Sequence, residues 1–296
     1  MTPAEIAQAG VAAVGVATVG IATGAGRGMG KACAAALSDM VDVLLLVDLD
    51  AESAAGTAKE LARRRAVAEP FAADVSDPAA LAALATRIAE LGRLRAVAHA
   101  AGISPTMADW RRVITVDLVG TALLVEALRP LVTESTAMVC FASMAPLLAG
   151  VADADADAAL DQPLDPRLHD RLSAALGDAL QNPGLAYTWA KRGVQRLAQR
   201  EAAWFGRHGA RICSVSPGII DTPQGRQEAD AHASMAALVR LTPLAREGIP
   251  EEVAAVTAFL LSDRASFVSG IDVPVDGGLV AAVRTGPRPG ESPPRD

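Results

Sequence analysis

Cysteine is scarce in this chain of 296 residues, and its placement suggests neither a disulfide framework nor a metal site. Cys33, Cys140 and Cys213 are odd in number, form no Cys-x-x-Cys pair and are not interleaved with histidine. Each lies within an apolar run, so we interpret the three residues as buried, reduced thiols. This use of cysteine is typical of a cytoplasmic protein, and we predict no metal.

The sequence also lacks the charge and hydropathy patterns of proteins that bind nucleic acids or cross membranes. Its formal net charge is −7, and no stripe of lysine and arginine is present to bind a polyanion. Beyond the N-terminal segment discussed next, no uninterrupted apolar run approaches the length of about 20 residues that spans a membrane. We therefore expect a small-molecule partner, with no nucleic acid and no membrane.

The apolar segment Val11 to Ala22 is similar in hydropathy to the core of a secretion signal. The ten residues before it contain Glu5 and neither lysine nor arginine, whereas a signal peptide carries positive charge there. A buried strand is therefore the preferred interpretation.

Apolar residues are abundant, and their spacing predicts the fold. They make up 51% of the chain, which is enough for a large core and excludes a wholly disordered protein. Short apolar runs, typical of parallel strands covered on both faces, alternate with longer Ala-rich amphipathic segments. We predict an α/β protein with a single-domain Rossmann fold, a doubly wound, seven-stranded parallel sheet with helices on both faces. The predicted strands are Val14–Ala22, Val43–Val47, Ala66–Phe71, Ala96–Ala100, Ala137–Ala142, Arg211–Val215 and Asp272–Val275.

The predicted domain covers residues 14–283 and follows an N-terminal extension at residues 1–13. Residues 284–296 contain four prolines and two glycines and nothing apolar, so this tail is predicted to be disordered.

Residues 144–186 interrupt the βαβ rhythm and are interpreted as an insertion. We predict one helix in it, from about Pro166 to Gln181, which ends at Asn182-Pro183-Gly184. An alternation of alanine with Asp153, Asp155 and Asp157 precedes that helix. It lacks the histidine or glycine of a metal-binding loop, so we interpret it as a solvated turn.

A glycine-rich loop, residues 23–30 with the sequence TGAGRGMG, directly follows the first predicted strand. Glycines there let the backbone approach a pyrophosphate, whose charge is held by the N–H groups and the dipole of the following helix. The strand before the loop and the helix after it turn a weak motif into a strong one. The residues predicted to contact the dinucleotide are Gly24, Arg27, Gly28, Met29 and Gly30.

Asp48 ends the second predicted strand, where an acid accepts hydrogen bonds from the hydroxyls of the adenosine ribose. Its charge would repel a 2′-phosphate, which favours NAD over NADP. Arg27 favours the opposite choice, because a guanidinium binds phosphate. We give Asp48 more weight, because burying like charges together costs more than one exposed ion pair gains. The alternative is that Asp48 is an ordinary turn residue beside Asp50.

The chain has a single tyrosine, Tyr187, and one of its three lysines, Lys191, follows four residues later. This spacing places both residues on one face of a helix. A neighbouring cation favours the phenolate and lowers the phenol pKa from its ordinary value near 10, so Tyr187 would exchange protons with an alcohol or a carbonyl. The alternative is a surface helix with a half-buried tyrosine and an exposed lysine.

In their order and spacing, these motifs resemble the short-chain dehydrogenase/reductase family over nearly the whole chain. Residues 23–30 match its glycine loop, and Tyr187 with Lys191 matches its Tyr-x-x-x-Lys pair. Ser143 follows the fifth predicted strand, like the family's catalytic serine. Further matches are Asp74-Val75 near the adenine, Ala100-Ala101-Gly102 after the fourth strand, Pro217-Gly218 with Ile219, Ile220 and Thr222 beside the nicotinamide, and Asp276-Gly277-Gly278 at the final turn.

The resemblance implies an NAD-dependent oxidoreductase that interconverts a secondary alcohol and a ketone on a hydrophobic small molecule. Ser143 would stabilise charge on the substrate oxygen, Tyr187 would be the general acid/base, and Lys191 would hold the ribose and lower the tyrosine pKa. Two alternatives stay open: an NADP-dependent carbonyl or 3-oxoacyl reductase, and a dinucleotide-sensing regulator without turnover. A homodimer or homotetramer is expected, with the helices predicted at Thr106–Arg129 and Ala186–Gly206 as a four-helix contact between subunits.

Two features depart from the family pattern. Asp117 stands where the family has an asparagine that supports a water of the proton relay, and its charge would oppose ionisation of Tyr187. The 43 residues between Ser143 and Tyr187 make an insertion that resembles the bacterial 3-alpha-hydroxysteroid dehydrogenases. We expect it to lie over the substrate pocket or over the helices used for dimerisation. Its leucines are interpreted as packing, so a steroid-like substrate is a subordinate hypothesis.

Overall fold

The computed structural model describes residues 16–231 and 234–286, and its side chains are described except at 229–231 and 234. Seven parallel strands form one sheet in the order β3-β2-β1-β4-β5-β6-β7. They are β1 (Thr18–Thr23), β2 (Val43–Asp48), β3 (Val67–Ala72), β4 (Arg93–His99), β5 (Ala137–Phe141), β6 (Arg211–Pro217) and β7 (Asp272–Val275). The predicted doubly wound Rossmann sheet of a single α/β domain is confirmed.

Helices cover both faces of the sheet and bury the apolar strands between them. One face carries α1 (Gly28–Leu37), α2 (Ala51–Leu61) and α12 (Pro250–Leu261). The other face carries α3 (Pro78–Leu91), α4 (Trp110–Ile114), α5 (Gly120–Leu128) and α9 (Pro183–Arg207). The remaining helices are α6 (Ala145–Ala149), α7 (Ala154–Leu160), α8 (Leu168–Leu176), α10 (Pro223–Ala231), α11 (Ser234–Leu241) and α13 (Leu279–Thr285).

A π-helical segment, Thr115–Val119, joins α4 to α5 and contains Asp117. Such segments are rare and are frequent at functional sites. The helix predicted from Thr106 starts only at Trp110, because the Asp109 carboxylate accepts a hydrogen bond from the Arg112 N–H and caps the helix there.

The first strand begins later than predicted. Val16 is 72% exposed, and β1 starts at Thr18, whose N–H and hydroxyl both donate to the Asp42 carboxylate. Residues 14 and 15 lie outside the described part of the chain, as do the predicted extension at residues 1–13 and most of the predicted tail. The tail prediction is wrong at its start, because Arg284 and Thr285 complete α13.

The insertion contains three α-helices, so the prediction of a single helix is incomplete. The helix predicted at Pro166–Gln181 is α8 followed by a 3-10 turn, Gly177–Gln181. Asn182, predicted to end that helix, also begins the next one. Its side-chain oxygen accepts hydrogen bonds from the N–H groups of Gly184 and Leu185 and caps α9.

The prediction of a solvated acidic turn is also wrong, because this segment forms α7. The Asp153 carboxylate accepts a hydrogen bond from the Ala156 N–H at 2.8 Å and caps the helix. Asp157 and Asp161 then lie one turn apart and face Arg192 and Arg196, which are one turn apart on α9. The spacing of Asp157 and Asp161 therefore allows ion pairs between α7 and α9.

The middle of the insertion packs against α4 and α9. The His169 ring lies 5.8 Å from the Trp110 ring, and its Nε2 is 3.2 Å from the Thr115 hydroxyl. The interpretation of its leucines as packing is confirmed for the four that are fully buried in the core, Leu160, Leu168, Leu172 and Leu180. The insertion thus covers part of the outer surface of the two helices that were expected to contact another subunit.

The described residues also bear on the expectations about cysteines, metal sites and membrane-spanning helices. Cys33, Cys140 and Cys213 are buried and form no disulfide. Within residues 16–231 and 234–286, no group of three potential metal ligands comes together. No helix in the same ranges is long and apolar enough to cross a membrane.

Candidate active site

The carboxyl ends of the strands border one cleft of about 510 Å³, and most of the predicted site residues line it. Such a crevice, where the strand order reverses, is the usual ligand site of an open α/β sheet. Lys191 and Asp117 lie behind its wall. The predicted residues that line it are Gly24, Arg27, Gly28, Met29, Gly30, Asp48, Asp74, Val75, Ala101, Gly102, Ser143, Tyr187, Pro217, Gly218, Ile219, Ile220 and Thr222.

The glycine loop is folded so tightly that side chains would not fit at two of its positions. A Cβ atom on Gly30 would lie 2.1 Å from the carbonyl oxygen of Gly24. Gly24 itself has φ +64° and lies against the Ala101 backbone, where a Cβ atom would approach within 3.1 Å. Glycine is therefore required here by close approach of the backbone to itself.

This loop places the start of α1 at the cleft. The first backbone hydrogen bond of the helix is from the Lys31 N–H to the Arg27 carbonyl, at 3.2 Å. The N–H groups of Gly28, Met29 and Gly30 come before it and have no partner within the helix. Together with the helix dipole they fit a pyrophosphate, so the residues present are suited to a dinucleotide.

Asp48 is held at the edge of this loop by two backbone groups. Its Oδ2 accepts a hydrogen bond from the Gly26 N–H at 2.8 Å, and its Oδ1 accepts one from the Asp50 N–H at 3.0 Å. Each carboxylate oxygen has a second lone pair, so two acceptor positions are left for hydroxyl groups in the cleft.

Arg27, the residue that favours a phosphorylated cofactor, is exposed and also faces acidic groups. The pKa of Asp50 is lowered, mainly by hydrogen bonds from Ser53 and to a smaller extent by the Arg27 charge. Because this charge already interacts with a carboxylate, it is a weaker attractor for a phosphate.

Asp74 and Val75 lie beside an arginine that the sequence motifs did not single out. Arg112, on α4, donates to the Asp74 carboxylate at 2.9 Å and to the Ser76 hydroxyl at 3.0 Å. Burial opposes ionisation of Asp74, but hydrogen bonds from Ser76 and Arg112 hold its pKa below the ordinary value. Arg112 lines the cleft and belongs to none of the matched motifs.

Tyr187 and Lys191 lie on one face of α9, as their spacing predicted. The Lys191 Nζ lies 5.5 Å from the centre of the Tyr187 ring and donates a hydrogen bond to the Phe141 carbonyl at 3.1 Å. It also lies directly behind Gly102, on which a Cβ atom would come within 3.2 Å of the ammonium. The pair therefore borders the same cleft as the glycine loop.

The Lys191 ammonium also lies beside the buried carboxylate of Asp117. Lys191 Nζ and Asp117 Oδ2 are 3.5 Å apart, and Asp117 is fully buried. Asp117 Oδ1 accepts a hydrogen bond from the Ile103 N–H at 2.8 Å, whereas Oδ2 has no hydrogen-bond partner among the described residues. Burial raises the pKa of Asp117, and the Lys191 charge and the Ile103 hydrogen bond oppose that rise only in part.

The net pKa of Tyr187 is raised in these surroundings, whereas a lowered value was expected. Burial raises the pKa of Tyr187 above its ordinary value of 10, and the carboxylates of Asp117 and Glu228 raise it further. A hydrogen bond from the Ser143 side chain lowers it in part. Burial is the largest cause of this rise, and the Asp117 charge, the next largest, acts in the direction expected for a neighbouring carboxylate.

Ser143 is almost fully buried at the end of β5. Its hydroxyl oxygen accepts a hydrogen bond from the Ala145 N–H at 3.1 Å, which leaves the hydroxyl proton to be donated. The nearby turn after β6 is equally tight, because a Cβ atom on Gly218 would lie 2.6 Å from the Asp276 Cα. Pro217, Gly218 and Ile219 thus lie at the same end of the cleft as Ser143.

Sequence reasoning missed Glu228, which lines this end of the cleft from α10 and is half-buried. It belongs to none of the matched motifs. The surrounding wall is mainly apolar. It includes Pro105, Met107, Met144, Leu148, Met235 and Leu238, and the insertion contributes Met144, Ala145, Leu148 and Gly184 to the cleft lining.

A buried histidine, also missed, connects the central strands to the π segment. His99 Nδ1 is 2.8 Å from the Thr23 hydroxyl, and Nε2 is 3.0 Å from the Thr121 hydroxyl, which donates to the Asp117 carbonyl. Burial, reinforced by the Lys191 charge, lowers the pKa of His99 to about 3, so it is neutral at physiological pH. Its hydrogen bonds fix the backbone of Asp117.

Comparison with known proteins points to oxidoreductases. The sequence model of a family described as enoyl-(acyl carrier protein) reductase matches residues 24–158 and 172–280. The chain is similar to a D-threitol dehydrogenase of Mycolicibacterium smegmatis, with 32% identity over 86% of this chain and 90% of that protein. It is also similar to a cis-4-hydroxycyclohexanecarboxylate dehydrogenase of Sinomonas cyclohexanicum, with 34% identity over 88% of this chain and 95% of that protein. The crystal structure of levodione reductase superposes with a TM-score of 0.70 and 31% identity over 90% of this chain and 98% of that chain.

Proposed function

The chain belongs to the short-chain dehydrogenase/reductase family, and on that premise we propose that it is an NAD-dependent enzyme in which Tyr187 exchanges the proton. It is an oxidoreductase that acts on CH–OH groups with a nicotinamide dinucleotide and interconverts secondary alcohols and ketones. The observation that carries the proposal is that Tyr187 and Ser143 line the same cleft as the glycine loop, with Lys191 directly behind it. The nicotinamide, when bound, accepts or supplies the hydride. We place the catalytic unit at residues 14–283.

In the proposed mechanism, the protein binds the substrate oxygen and moves one proton. The Ser143 hydroxyl donates a hydrogen bond to that oxygen and stabilises the charge that develops on it. The Tyr187 phenolate accepts the proton of an alcohol, and the phenol returns it to a ketone. Lys191, directly behind Gly102, would hold the cofactor ribose, and its link to the Phe141 carbonyl fixes α9 against β5.

Asp117 adds an adjustable charge to this arrangement. Because its pKa is raised by burial, and because it lies beside Lys191, it changes the field at Tyr187 as it gains or loses a proton. We propose that Asp117 sets the pH range in which Tyr187 accepts protons.

Replacing Asp117 by asparagine is expected to move alcohol oxidation to lower pH. Oxidation needs the phenolate, and a raised pKa of Tyr187 confines the phenolate to high pH. Asp117→Asn removes the negative charge that offsets the Lys191 ammonium, and the loss of this charge lowers the tyrosine pKa. The check is the pH profile of kcat for oxidation. Glu251→Gln, an exposed carboxylate of α12, is the control, and identical profiles for all three proteins would contradict the role of Asp117.

NAD is the proposed cofactor, because Asp48 presents a fixed carboxylate where the ribose hydroxyls are expected. Asp48→Ala is expected to weaken NAD binding about tenfold or more, since hydrogen bonds to a charged group contribute about 1.5–3 kcal/mol each. NADP binding is expected to improve, because the repulsion of the 2′-phosphate is gone. Calorimetric titration with both nucleotides measures the two effects.

Asp48→Asn separates charge from geometry in this experiment. The amide oxygen can still accept the hydrogen bond from the Gly26 N–H, so the loop keeps its shape while the charge is lost. We expect improved NADP binding in this variant too. Unchanged affinities of both variants for both nucleotides would remove Asp48 from the cofactor site and favour the NADP-dependent reductase as the alternative.

The proposed substrate is a hydrophobic small molecule that carries the reacting secondary alcohol and a further polar group. The apolar wall with Met107, Met235 and Leu238 suits an aliphatic or alicyclic body, and Glu228 offers a carboxylate to a second hydroxyl. The similar proteins are named for D-threitol and for cis-4-hydroxycyclohexanecarboxylate, each of which carries a further polar group beside the reacting alcohol. A hydroxysteroid is the largest substrate within the proposal.

A screen of NAD-linked turnover tests the function. Diols, cyclohexanols and hydroxysteroids, with the matching ketones, would be assayed by nucleotide absorbance, and NAD binding would be measured in parallel. Turnover with at least one class is expected. Bound NAD without turnover on any class would contradict the proposal and favour a regulator that senses the dinucleotide.

We further propose a homodimer or homotetramer that works in the cytoplasm. The insertion occupies part of the surface of α4 and α9, so the subunit contact is expected elsewhere. The exposed side chains of Phe259, Phe267 and Ile271, near β7 at the edge of the sheet, offer apolar surface for it. Light scattering measures the assembly, and a monomer at micromolar concentration would contradict it.

A further inference from the structure

Gln195 is a polar residue of α9 that continues the spacing of the catalytic pair, one turn after Lys191 and two turns after Tyr187. It is 7% exposed, which is unusual for a glutamine. Its amide nitrogen lies 3.3 Å from the Ser143 carbonyl oxygen, 2.9 Å from the Ser216 hydroxyl and 3.1 Å from Asp272 Oδ2. A buried amide therefore connects Ser143 to the ends of β6 and β7.

The acceptors of Gln195 are themselves fixed. The Ser214 hydroxyl donates to Asp272 Oδ1 at 2.7 Å, and the Ser216 hydroxyl donates to Oδ2 at 2.8 Å. Asp272 is half-buried, and burial raises its pKa while these hydrogen bonds oppose the rise. The cluster of Gln195, Ser214, Ser216 and Asp272 is thus a connected polar network beneath Ser143.

Two successive turns of α9 hold the end of β5. Lys191 donates to the carbonyl of Phe141. Gln195 shares its two N–H groups among three acceptors, of which the carbonyl of Ser143, two residues further along, is the most distant at 3.3 Å. On the other side of Ser143, the Ala145 N–H donates to its hydroxyl oxygen. Both the main chain and the side chain of Ser143 are therefore restrained, and Gln195 adds a side-chain contact to the backbone hydrogen bonds that the neighbouring Ala142 and Met144 make with β6.

We propose that Gln195 is a positioning residue that aims the Ser143 hydroxyl at the substrate oxygen, with Ser216 and Asp272 holding the Gln195 amide. This inference rests on the proposed function, in which Ser143 binds that oxygen. Gln195 does not line the cleft, so its effect on the reaction would pass through the residues it contacts, and the proposal assigns that effect to Ser143. Small errors in the placement of a catalytic group are costly, because a displacement of about 1 Å can reduce the rate about a hundredfold.

A double-mutant cycle between Gln195→Met and Ser143→Ala tests this inference. Methionine keeps the length of the side chain and removes its hydrogen bonds. We expect Gln195→Met to lower kcat about tenfold or more, with little change in KM for NAD. In the Ser143→Ala background, the same substitution is expected to have no further effect on kcat, because the hydroxyl that it positions is gone.

Gln199→Met is the matched control, because Gln199 lies one turn further along α9 and is exposed. It is expected to leave kcat unchanged. If Gln195→Met does not fold, Ser216→Ala replaces it, since it removes one partner of the Gln195 amide while the glutamine stays. A smaller loss of kcat is then expected, again absent in the Ser143→Ala background.

The outcomes separate this inference from the proposed function. If Ser143→Ala leaves kcat unchanged, the role of serine in the proposed function is wrong. If Ser143→Ala lowers kcat while Gln195→Met does not, only the positioning role is overturned. Equal losses from Gln195→Met in both backgrounds would show that Gln195 acts independently of Ser143, which also overturns it.

Discussion

The substitution Tyr187→Phe is expected to abolish nearly all turnover and to leave dinucleotide binding intact. Positioned acid/base groups contribute rate factors of about 10²–10⁴, so a loss within this range is expected for both alcohol oxidation and ketone reduction. Tyr187 is the only tyrosine of the chain, and no second phenol can replace it. The measurement is kcat in both directions, with NAD affinity from calorimetry.

Binding and folding serve as internal controls for this variant. Phenylalanine keeps the ring, so the position of Lys191 beside it is expected to persist and the unfolding midpoint to change little. Turnover within a few-fold of the native protein would identify another proton donor. Loss of NAD binding together with turnover would indicate a disturbed cleft instead of a lost proton.

The second large effect is expected for Lys191→Met, which removes the cation from a buried ion pair. Breaking such a pair costs about 3–5 kcal/mol of stability when the remaining charge is uncompensated. Asp117 would be left fully buried beside a methionine, with Oδ1 still bound to the Ile103 N–H. Turnover is expected to fall about a hundredfold or more, because the ammonium also contributes to the field in which the proton is transferred.

The double variant Lys191→Met with Asp117→Asn separates stability from catalysis. Without the buried carboxylate, much of the lost stability is expected to return in chemical denaturation, whereas turnover stays low. Recovery of turnover together with stability would mean that Lys191 serves the fold alone. Native-like stability of the single variant would contradict the buried ion pair.

The fold was predictable because parallel strands covered on both faces leave a clear pattern. Runs such as Val43–Val47 are almost wholly apolar, and the structure places β2 there with one more residue. The insertion was less predictable, because the role of Asp157 and Asp161 depends on Arg192 and Arg196, which α9 brings opposite them. Local patterns do not contain that pairing.

The candidate site likewise has features that the sequence predicts and features that depend on the folded structure. Tyr187 and Lys191 are four residues apart, and helical geometry alone places them together. The direction of the Tyr187 pKa depends on burial and on Asp117 and Glu228, which are brought to it from other elements. Gln195 did leave a signal, since it continues the spacing of Tyr187 and Lys191 by one turn and is polar on a buried face.

The most direct test of the account follows the ionisation of Tyr187 itself, which a carbon-13 label on the tyrosine ring reports as a single NMR signal. The account predicts that the signal titrates above pH 10 in the native protein and at lower pH in Asp117→Asn. The kcat profile for alcohol oxidation is expected to move in the same direction. A phenol that titrates at or below its ordinary pKa and does not respond to Asp117→Asn would contradict the proposed control of proton transfer by this buried carboxylate.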